Sequence, residues 1–376
     1  MLFNSLDFAL FISVFFILYW FVFKKLKQQN ILIVIASYVF YGWWDWRFLS
    51  LIIFSSIVDF LVGIGLSRTD DQRKRLFYLL TSILVNLGFL GFFKYYNFFL
   101  ESFVGAFSFF GKGINPQGLN IILPVGISFY TFQTLSYTID VYKRKFRPTT
   151  DFGSFFAFVS FFPQLVAGPI ERAKNLLPQF YKKRNFDLSK ATDGMRQILW
   201  GYFMKVVVAD RLALYVDVVY NNVEMHNSIT LLLATVLFSF QIYCDFAGYS
   251  NIAIGTAKIF GFQLMDNFKR PYFATSITDF WRRWHISLST WFRDYVYIPL
   301  GGNRVSKFRH YSNLFITFVI SGLWHGANWT FIIWGALHGF YQIAEKIIYR
   351  RRPSQGATTI EKMLKILVTY LHKYSR

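Results

Sequence analysis

The segment Ile320–Trp329 reads ISGLWHGANW and interrupts the apolar run Tyr311–Tyr349. The run is long enough for two membrane helices, since one span needs about 20 apolar residues. The break between Gly322 and Asn328 therefore predicts a helical hairpin that turns within this segment. His325 lies at the turn, and ionisable residues inside membrane segments usually face a wet interior or a substrate pathway. From this context alone, a catalytic base and a structural core histidine both remain open.

The composition around this segment is that of a membrane protein. Of the 376 residues, 54% are hydrophobic and only 16% are charged. In soluble domains about 45–50% of the residues are apolar and about 25% are charged. Apolar runs separated by short basic loops recur from end to end. The sequence therefore predicts one all-α, polytopic integral-membrane domain over residues 1–376.

Five apolar segments in the first half have lengths suited to membrane helices. They are Phe8–Phe23, Ile31–Trp44, Leu49–Leu66, Leu76–Phe93 and Ile121–Tyr142. Basic clusters follow the first, third and fifth of them. Because Lys and Arg accumulate in cytoplasmic loops, this pattern predicts an external N-terminus and cytoplasmic basic loops. The first segment has no basic region before it, which argues against a cleavable signal peptide.

The second half is less regular. Basic residues flank both ends of Phe152–Ile170, so both ends are expected on the cytoplasmic side, and Pro163 would break a helix there. This predicts a re-entrant segment, which is tolerated only where it is buried in protein or lines a wet cavity. Ile229–Phe262 is interpreted as one span and a second, broken one, and Lys269–Arg309 as a basic cytoplasmic stretch.

The net charge is +20, from 40 basic and 20 acidic residues. Since the basic residues lie in short loops between apolar runs, anionic lipid headgroups are the expected partner, and nucleic acid is not. Cys244 is the only cysteine, so no internal disulfide can form. No metal-ligand spacing is present, and we expect neither a bound metal nor a bound cofactor.

His285 lies in Asp279–Ser289, a stretch that alternates aromatic and basic residues. The pattern suits an amphipathic helix at the cytoplasmic interface. It also suits an anionic donor, because Arg282 and Arg283 can pair with phosphates. Contact with lipid headgroups remains an alternative for both arginines.

A second polar insertion lies within Gln241–Asn251. Its Asp245, Tyr249 and Ser250 need partners in an apolar setting, and they are candidate substrate-binding residues. No Ser-His-Asp spacing, Walker loop or Rossmann glycine pattern is present. Base catalysis by a histidine is therefore the simplest enzymatic interpretation.

Five motifs resemble those of a known family. They are Pro124–Gln133, Phe161–Arg172, Asp245–Ser250, Phe280–His285 running on to Tyr297–Arg304, and Trp324–Gly326. In this order they look like the membrane-bound O-acyltransferases, in the bacterial branch that contains the alginate O-acetylation protein. The resemblance extends from Met1 to about Tyr349.

The resemblance implies a multi-helix bundle with re-entrant segments and a transmembrane tunnel. His325 matches the family's catalytic histidine and His285 the second histidine of the bacterial branch. Arg282 and Arg283 would lie nearer the mouth through which the donor enters. Asn328, or backbone N–H groups near Gly326, would stabilise the oxyanion.

The activity implied is that of an acyltransferase for groups other than amino-acyl groups. Acetyl-coenzyme A or another acyl thioester would be the donor substrate, and an extracytoplasmic polysaccharide such as alginate would be the acceptor. The implied location is the bacterial inner membrane, with a periplasmic or membrane protein as a possible partner in acetylation. The acyl group, the direct donor, the acceptor and the oligomeric state stay open.

Members of this branch usually continue with further membrane helices. The resemblance therefore implies that a chain ending at Arg376 is truncated, which leaves its activity open. Two other functions are compatible with the pattern of spans. One is a membrane transporter or flippase, and the other is an inactive scaffold in a complex that exports or modifies polysaccharide.

Overall fold

The computed structural model describes residues 1–109, 118–166 and 168–350, and within these ranges every regular element is helical. The α-helices are α1 (Leu6–Ile17), α2 (Leu26–Gly42), α3 (Leu49–Ser67), α4 (Gln72–Leu90), α5 (Tyr96–Phe109), α6 (Ile127–Tyr142), α7 (Phe152–Ser160), α8 (Phe162–Leu165), α9 (Ala173–Leu176), α10 (Leu188–Tyr202), α11 (Asp210–Tyr220), α12 (Ser228–Ile259), α13 (Ile277–Arg283), α14 (Ile286–Phe292), α15 (Lys307–His325) and α16 (Trp329–Arg350).

Three helical stretches of the described chain are long and apolar enough to cross a membrane: Trp46–Ser67, Gln72–Ser108 and Ser228–Ile259. The second joins α4 to α5 through a π-helical turn at Gly91–Tyr95, and so runs well past the predicted end at Phe93. The fifth predicted segment starts six residues late, at Ile127, because Gly126 adopts a left-handed conformation with φ 76°.

Large apolar side chains cover the outer faces of the N-terminal helices. Leu10 and Val14 of α1 are 62% and 57% exposed, and Phe77 and Leu84 of α4 are 68% and 75% exposed. In water such a surface would be costly, whereas in a bilayer it contacts lipid. The fold is therefore that of a polytopic membrane protein.

Polar groups inside this part of the bundle satisfy one another across helices. The fully buried carboxylate of Asp59 on α3 accepts hydrogen bonds from Ser82 Oγ at 2.5 Å and from Asn86 Nδ2 at 2.9 Å, both on α4. Thr134 of α6 donates to Asn86 Oδ1 at 3.0 Å. Because a buried polar group without a partner is costly, this network stabilises α3, α4 and α6 in one arrangement.

The predicted re-entrant segment enters and leaves at the same end of α2. Asn30 Nδ2 donates both to Ser154 Oγ at 3.1 Å and to the Phe180 carbonyl at 2.9 Å. Between these two contacts, the Phe162 amide donates to Ser37 Oγ, seven residues further along α2. Seven residues correspond to about 10 Å of helix. The chain thus goes inward through α7 and α8 and returns through α9.

Helix α12 corrects one prediction, since Ser228–Ile259 is a single unbroken helix and not one span followed by a broken one. The glycines of α12 serve close packing. A Cβ atom added at Gly255 would lie 2.5 Å from the carbonyl oxygen of Gly194 on α10, and one at Gly201 would lie 2.7 Å from that of Gly248. Small residues at these crossings let α10 and α12 approach backbone to backbone.

The predicted hairpin at the end of the described chain is confirmed. Helix α15 ends at His325, and α16 begins at Trp329. A Cβ at Gly322 would lie 2.2 Å from the Phe331 carbonyl oxygen, and one at Gly335 would lie 2.4 Å from that of Phe318. The two helices therefore touch through their glycines, and this contact fixes where the turn places His325.

Candidate active site

A cavity of about 740 Å³ lies between α13, α14, α15 and α16. It is lined by both predicted catalytic histidines, His285 and His325, although they are 40 positions apart in the sequence. One face of α15 forms a wall, and its lining residues run from His310 to His325, about 22 Å of helix at 1.5 Å per residue. The cavity thus extends along most of α15, although a tunnel through the membrane stays a prediction.

The imidazole of His325 is held between two tryptophans. Its ring centroid lies 5.0 Å from that of Trp324 and 5.2 Å from that of Trp334, both in edge-to-face geometry. The ammonium group of Lys94 approaches the same turn and donates to the Trp324 carbonyl and, at 3.3 Å, to Ser128 Oγ. The last turn of α15 is therefore tied to α4–α5 and α6 directly beside the histidine.

His285 joins α13 to α14 in a left-handed conformation with φ 42°. This conformation is uncommon for residues other than glycine and persists only where the surrounding structure imposes it. The side chain is buried, 4.6 Å from the ring of Phe246 between centroids, and neither ring nitrogen has a hydrogen-bond partner among the described residues. A buried imidazole with both nitrogens free of protein partners can hydrogen-bond to a bound substrate.

Asn267 imposes the backbone conformation that follows His285. The Asn267 carbonyl accepts from the Ile286 amide at 2.9 Å. Its side-chain Oδ1 accepts from the Ser287 amide at 3.3 Å and from Ser287 Oγ at 2.7 Å. Asn267 is only 1% exposed, so these bonds are shielded from water. It is a positioning residue for His285.

We expect Asn267→Ala to lower the turnover rate about tenfold or more, because Ser287 loses its partner and the turn at His285 relaxes. Asn267→Asp keeps an oxygen acceptor at the same place and is expected to retain more activity than the alanine variant. The measurement is kcat and donor KM for both variants. A positioning role would be contradicted if both variants lost activity equally and only in proportion to the loss of folded protein.

The charges that line the cavity are basic. Arg282, Arg293 and Lys346 contribute to its wall, and none of the described lining residues is an aspartate or glutamate. Arg293 contacts Asp294 at 2.8 Å, whereas Arg282 and Lys346 have no carboxylate within 4 Å among the described residues. Arg283 does not line the cavity and instead pairs with Asp279 at 2.9 Å. The cavity is therefore suited to an anionic ligand, and of the two predicted arginines Arg282 faces it.

The other predicted site residues lie elsewhere. Asp245 forms an ion pair with Lys205 at 2.6 Å, and Lys205 also forms an ion pair with Asp210. The ring of Tyr249 lies 5.4 Å from the same ammonium group, and the buried Ser250 hydroxyl has no hydrogen-bond partner among the described residues. These three residues are not among those that line the cavity. Phe246, next to Asp245 on α12, is the residue of this stretch whose ring packs against His285.

Asn328 also lies outside the cavity lining. Its side-chain oxygen accepts from the Thr330 amide at 2.9 Å and from Thr330 Oγ1 at 3.0 Å. This is the geometry of a residue that starts a helix. The structure therefore gives Asn328 a structural part in beginning α16, and does not bring it to the histidines.

Sequence reasoning missed two residues that hold the site together, Asn267 and Glu345. The carboxylate of Glu345 on α16 accepts from the Ile277 amide at 2.7 Å, the Thr278 amide at 2.9 Å and Thr278 Oγ1 at 2.6 Å. It therefore anchors the start of α13, the helix that carries Arg282. Both residues act on segments distant in sequence, so no local pattern marks them.

Comparison with known proteins gives the same assignment as the motifs. Residues 143–363 match the model of the MBOAT, membrane-bound O-acyltransferase family. The probable alginate O-acetylase AlgI of Pseudomonas syringae pv. tomato is 44% identical over 329 residues, which cover 86% of this chain and 62% of that protein. The AlgI protein of Pseudomonas aeruginosa is 42% identical over 349 residues, which cover 92% of this chain and 65% of that protein.

A peptidoglycan O-acetyltransferase of Helicobacter pylori is 37% identical over 364 residues, which cover 90% of this chain and 68% of that protein. The chain thus spans a little under two thirds of the length of the alginate O-acetylases that it matches. The family model covers more than half of the chain and includes both histidines that line the cavity. This chain belongs to the membrane-bound O-acyltransferase family.

Proposed function

We propose that the protein is a membrane O-acyltransferase that moves an acyl group, most simply acetyl, from a cytoplasmic thioester to hydroxyl groups of an extracytoplasmic polysaccharide. The observation that carries this proposal is the meeting of His285 and His325 in one cavity with basic and no acidic lining residues among those described. The family assignment favours this reaction over transport by a flippase.

In the proposed step, His325 accepts the proton of an acceptor hydroxyl while the hydroxyl oxygen attacks the thioester carbonyl carbon. The carbon–sulfur bond then breaks and the thiolate leaves. The proton passes from the imidazolium of His325 to the departing sulfur, so the base is regenerated. A sugar hydroxyl is a weak nucleophile without such a base, and this is the reason for placing the histidine at the reacting atoms.

His285 is proposed to bind the donor near its reacting carbonyl. Its two ring nitrogens lack partners among the described residues, and a neutral imidazole offers one donor and one acceptor. Arg282 and Lys346 are proposed to bind anionic groups of the donor, since they line the same cavity without carboxylate partners. Acetyl-coenzyme A carries phosphates of this kind, and arginine binds phosphate in a forked geometry.

The names of the relatives support a polysaccharide acceptor, because the acceptors they give are alginate and peptidoglycan. An acetyl group is supported on the same ground. The inner membrane of a bacterium is the compartment in which a cytoplasmic thioester and an external glycan meet across one bilayer. The proposal also includes a partner protein that completes the transfer.

The proposal is tested by expressing the chain in a bacterial strain that lacks glycan O-acetylation of its own. Mild base releases ester-linked acetate from the purified surface glycans, and the amount is compared with that from cells carrying an empty vector. We expect acetate only in cells that contain the chain, and fractionation of the glycan then gives the acceptor. If the protein is present in the membrane but no acetate is released, an inactive scaffold replaces the enzyme as the better account.

A further inference from the structure

A second cavity, of about 700 Å³, lies where α1 ends, α10 begins and α12 ends. Its volume is within the range of about 300–1,000 Å³ that small-molecule sites occupy. Its lining shares no residue with the cavity that holds the two histidines. The loop 182–187 and the end of α12 supply four of its five basic side chains, Lys182, Lys183, Arg184 and Lys258, and α10 supplies Lys190. The predicted topology places these groups at the cytoplasmic surface.

Arg184 gives this cavity a buried positive charge. The residue is only 7% exposed, and no carboxylate lies within 4 Å of it among the described residues. Its guanidinium donates to neutral oxygens, Asn30 Oδ1 at 2.6 Å and Gln29 Oε1 at 3.4 Å, and stacks on Phe262 at 4.8 Å. Burial holds the pKa of this guanidinium below its ordinary value, and the charge persists at neutral pH. A buried charge without a counter-charge is costly unless a ligand supplies one.

Three carboxylates also line the cavity, and each pairs with a cation other than these four. Asp187 pairs with Lys190, and Asp193 and Asp266 pair with Arg196 and Lys269. Within the described part of the chain, Lys182, Lys183, Arg184 and Lys258 are left without an acidic partner at ion-pair distance. Four cations without an acidic partner around one polar cavity are the kind of groups that bind phosphate.

An apolar surface adjoins the cavity. Trp20 lines it, and the indole nitrogen of Trp20 has no hydrogen-bond partner among the described residues. The ring of Trp20 lies 5.5 Å from that of Phe186, which is 47% exposed and packs 5.9 Å from Phe16 of α1. The cavity therefore opens beside the lipid-facing side chains of α1. A ligand that joins a phosphate to acyl chains fits both parts.

We propose that this cavity binds a phosphate-bearing anion, and that the occupant is the headgroup of an anionic phospholipid from the cytoplasmic leaflet. The phosphate is held by Arg184 with Lys182, Lys183 and Lys258, and the acyl chains lie along Phe16 and Phe186. The bound lipid supplies the counter-charge for Arg184 and links α1, α10 and α12 at their cytoplasmic ends. This site does not depend on the acyltransferase reaction.

The test uses the full chain in nanodiscs of phosphatidylcholine with a minor fraction of phosphatidylglycerol. Native mass spectrometry measures the phosphatidylglycerol retained by the wild type, by Lys182→Gln/Lys183→Gln and by a control, Lys24→Gln/Lys25→Gln. Both variants remove two adjacent exposed lysines from the cytoplasmic surface, but Lys24 and Lys25 do not line the cavity. Phosphatidylglycerol retention is expected to fall about tenfold in the cavity variant and less than twofold in the control.

Two results would overturn the proposal. Equal retention of phosphatidylglycerol in the two variants would mean that the lysines act only through general surface charge. Labelled inorganic phosphate that binds in pure phosphatidylcholine nanodiscs, and is lost in Lys182→Gln/Lys183→Gln, would assign the cavity to a soluble anion and not to lipid. Thermal unfolding of each variant confirms that the comparison is between folded proteins.

Discussion

Replacing His325 with alanine is expected to lower acyl transfer by about 10²–10⁴-fold, which is the usual contribution of a general base. The variant should remain folded in the membrane, because the imidazole makes edge contacts with Trp324 and Trp334 and has no hydrogen bond to any residue that the structure describes. The measurement is the rate of base-labile acetate formation per amount of membrane protein.

His226→Ala is the matched control for this experiment. His226 follows a short helical turn between α11 and α12 and does not line the cavity. The same chemical change at that position is expected to leave the rate within a factor of two. A wild-type rate in the His325 variant would remove the proposed base from the mechanism, whatever the fate of the control.

Gly322→Ala is expected to destabilise the hairpin that carries His325 and to abolish most activity. The new Cβ would lie 2.2 Å from the Phe331 carbonyl oxygen, a distance that real Cβ atoms do not reach, and the obstacle is helix backbone. Helices α15 and α16 must therefore move apart, at a cost of about 1–3 kcal/mol or more. Thermal unfolding in detergent and the acetate assay measure the two effects.

The control for this change is Gly88→Ala on α4. An added Cβ there meets nothing within 4 Å, and alanine is the better helix former by about 1 kcal/mol. Gly88→Ala should thus keep or raise the unfolding temperature. If Gly322→Ala and Gly88→Ala change the unfolding temperature alike, the close contact at Gly322 does not determine the stability of the hairpin.

Short sequence patterns predicted the structural elements that depend on neighbouring residues in the sequence. The hairpin followed from an apolar run of double length with glycines in its middle, and the re-entrant segment followed from basic residues at both of its ends. The same reasoning was wrong for α12, because Ile229–Phe262 was interpreted as one span and a second, broken one. Glycines in this stretch instead form the contact surface for α10, and a sequence does not say whether a glycine ends a helix or lets a second helix approach.

The site was predictable in part for the same reason. His325 and His285 stood out by type and context, and the resemblance indicated that both take part in catalysis. Their shared cavity depends on how α13–α14 pack against α15–α16, which no short segment encodes. Asp245 and Asn328 looked functional as polar residues in apolar surroundings. In the structure, however, Asp245 pairs with Lys205 and Asn328 accepts a hydrogen bond from Thr330.

The most direct test of the central claim, that the cavity between His285 and His325 joins a thioester donor to a glycan hydroxyl, is transfer of label with purified components. The chain is reconstituted in proteoliposomes with radiolabelled acetyl-coenzyme A on the side of the basic loops and purified polysaccharide on the other. The account predicts alkali-labile label on the polysaccharide that requires His325 and falls when His285 is replaced. Label on the glycan that is unchanged in both histidine variants would contradict it.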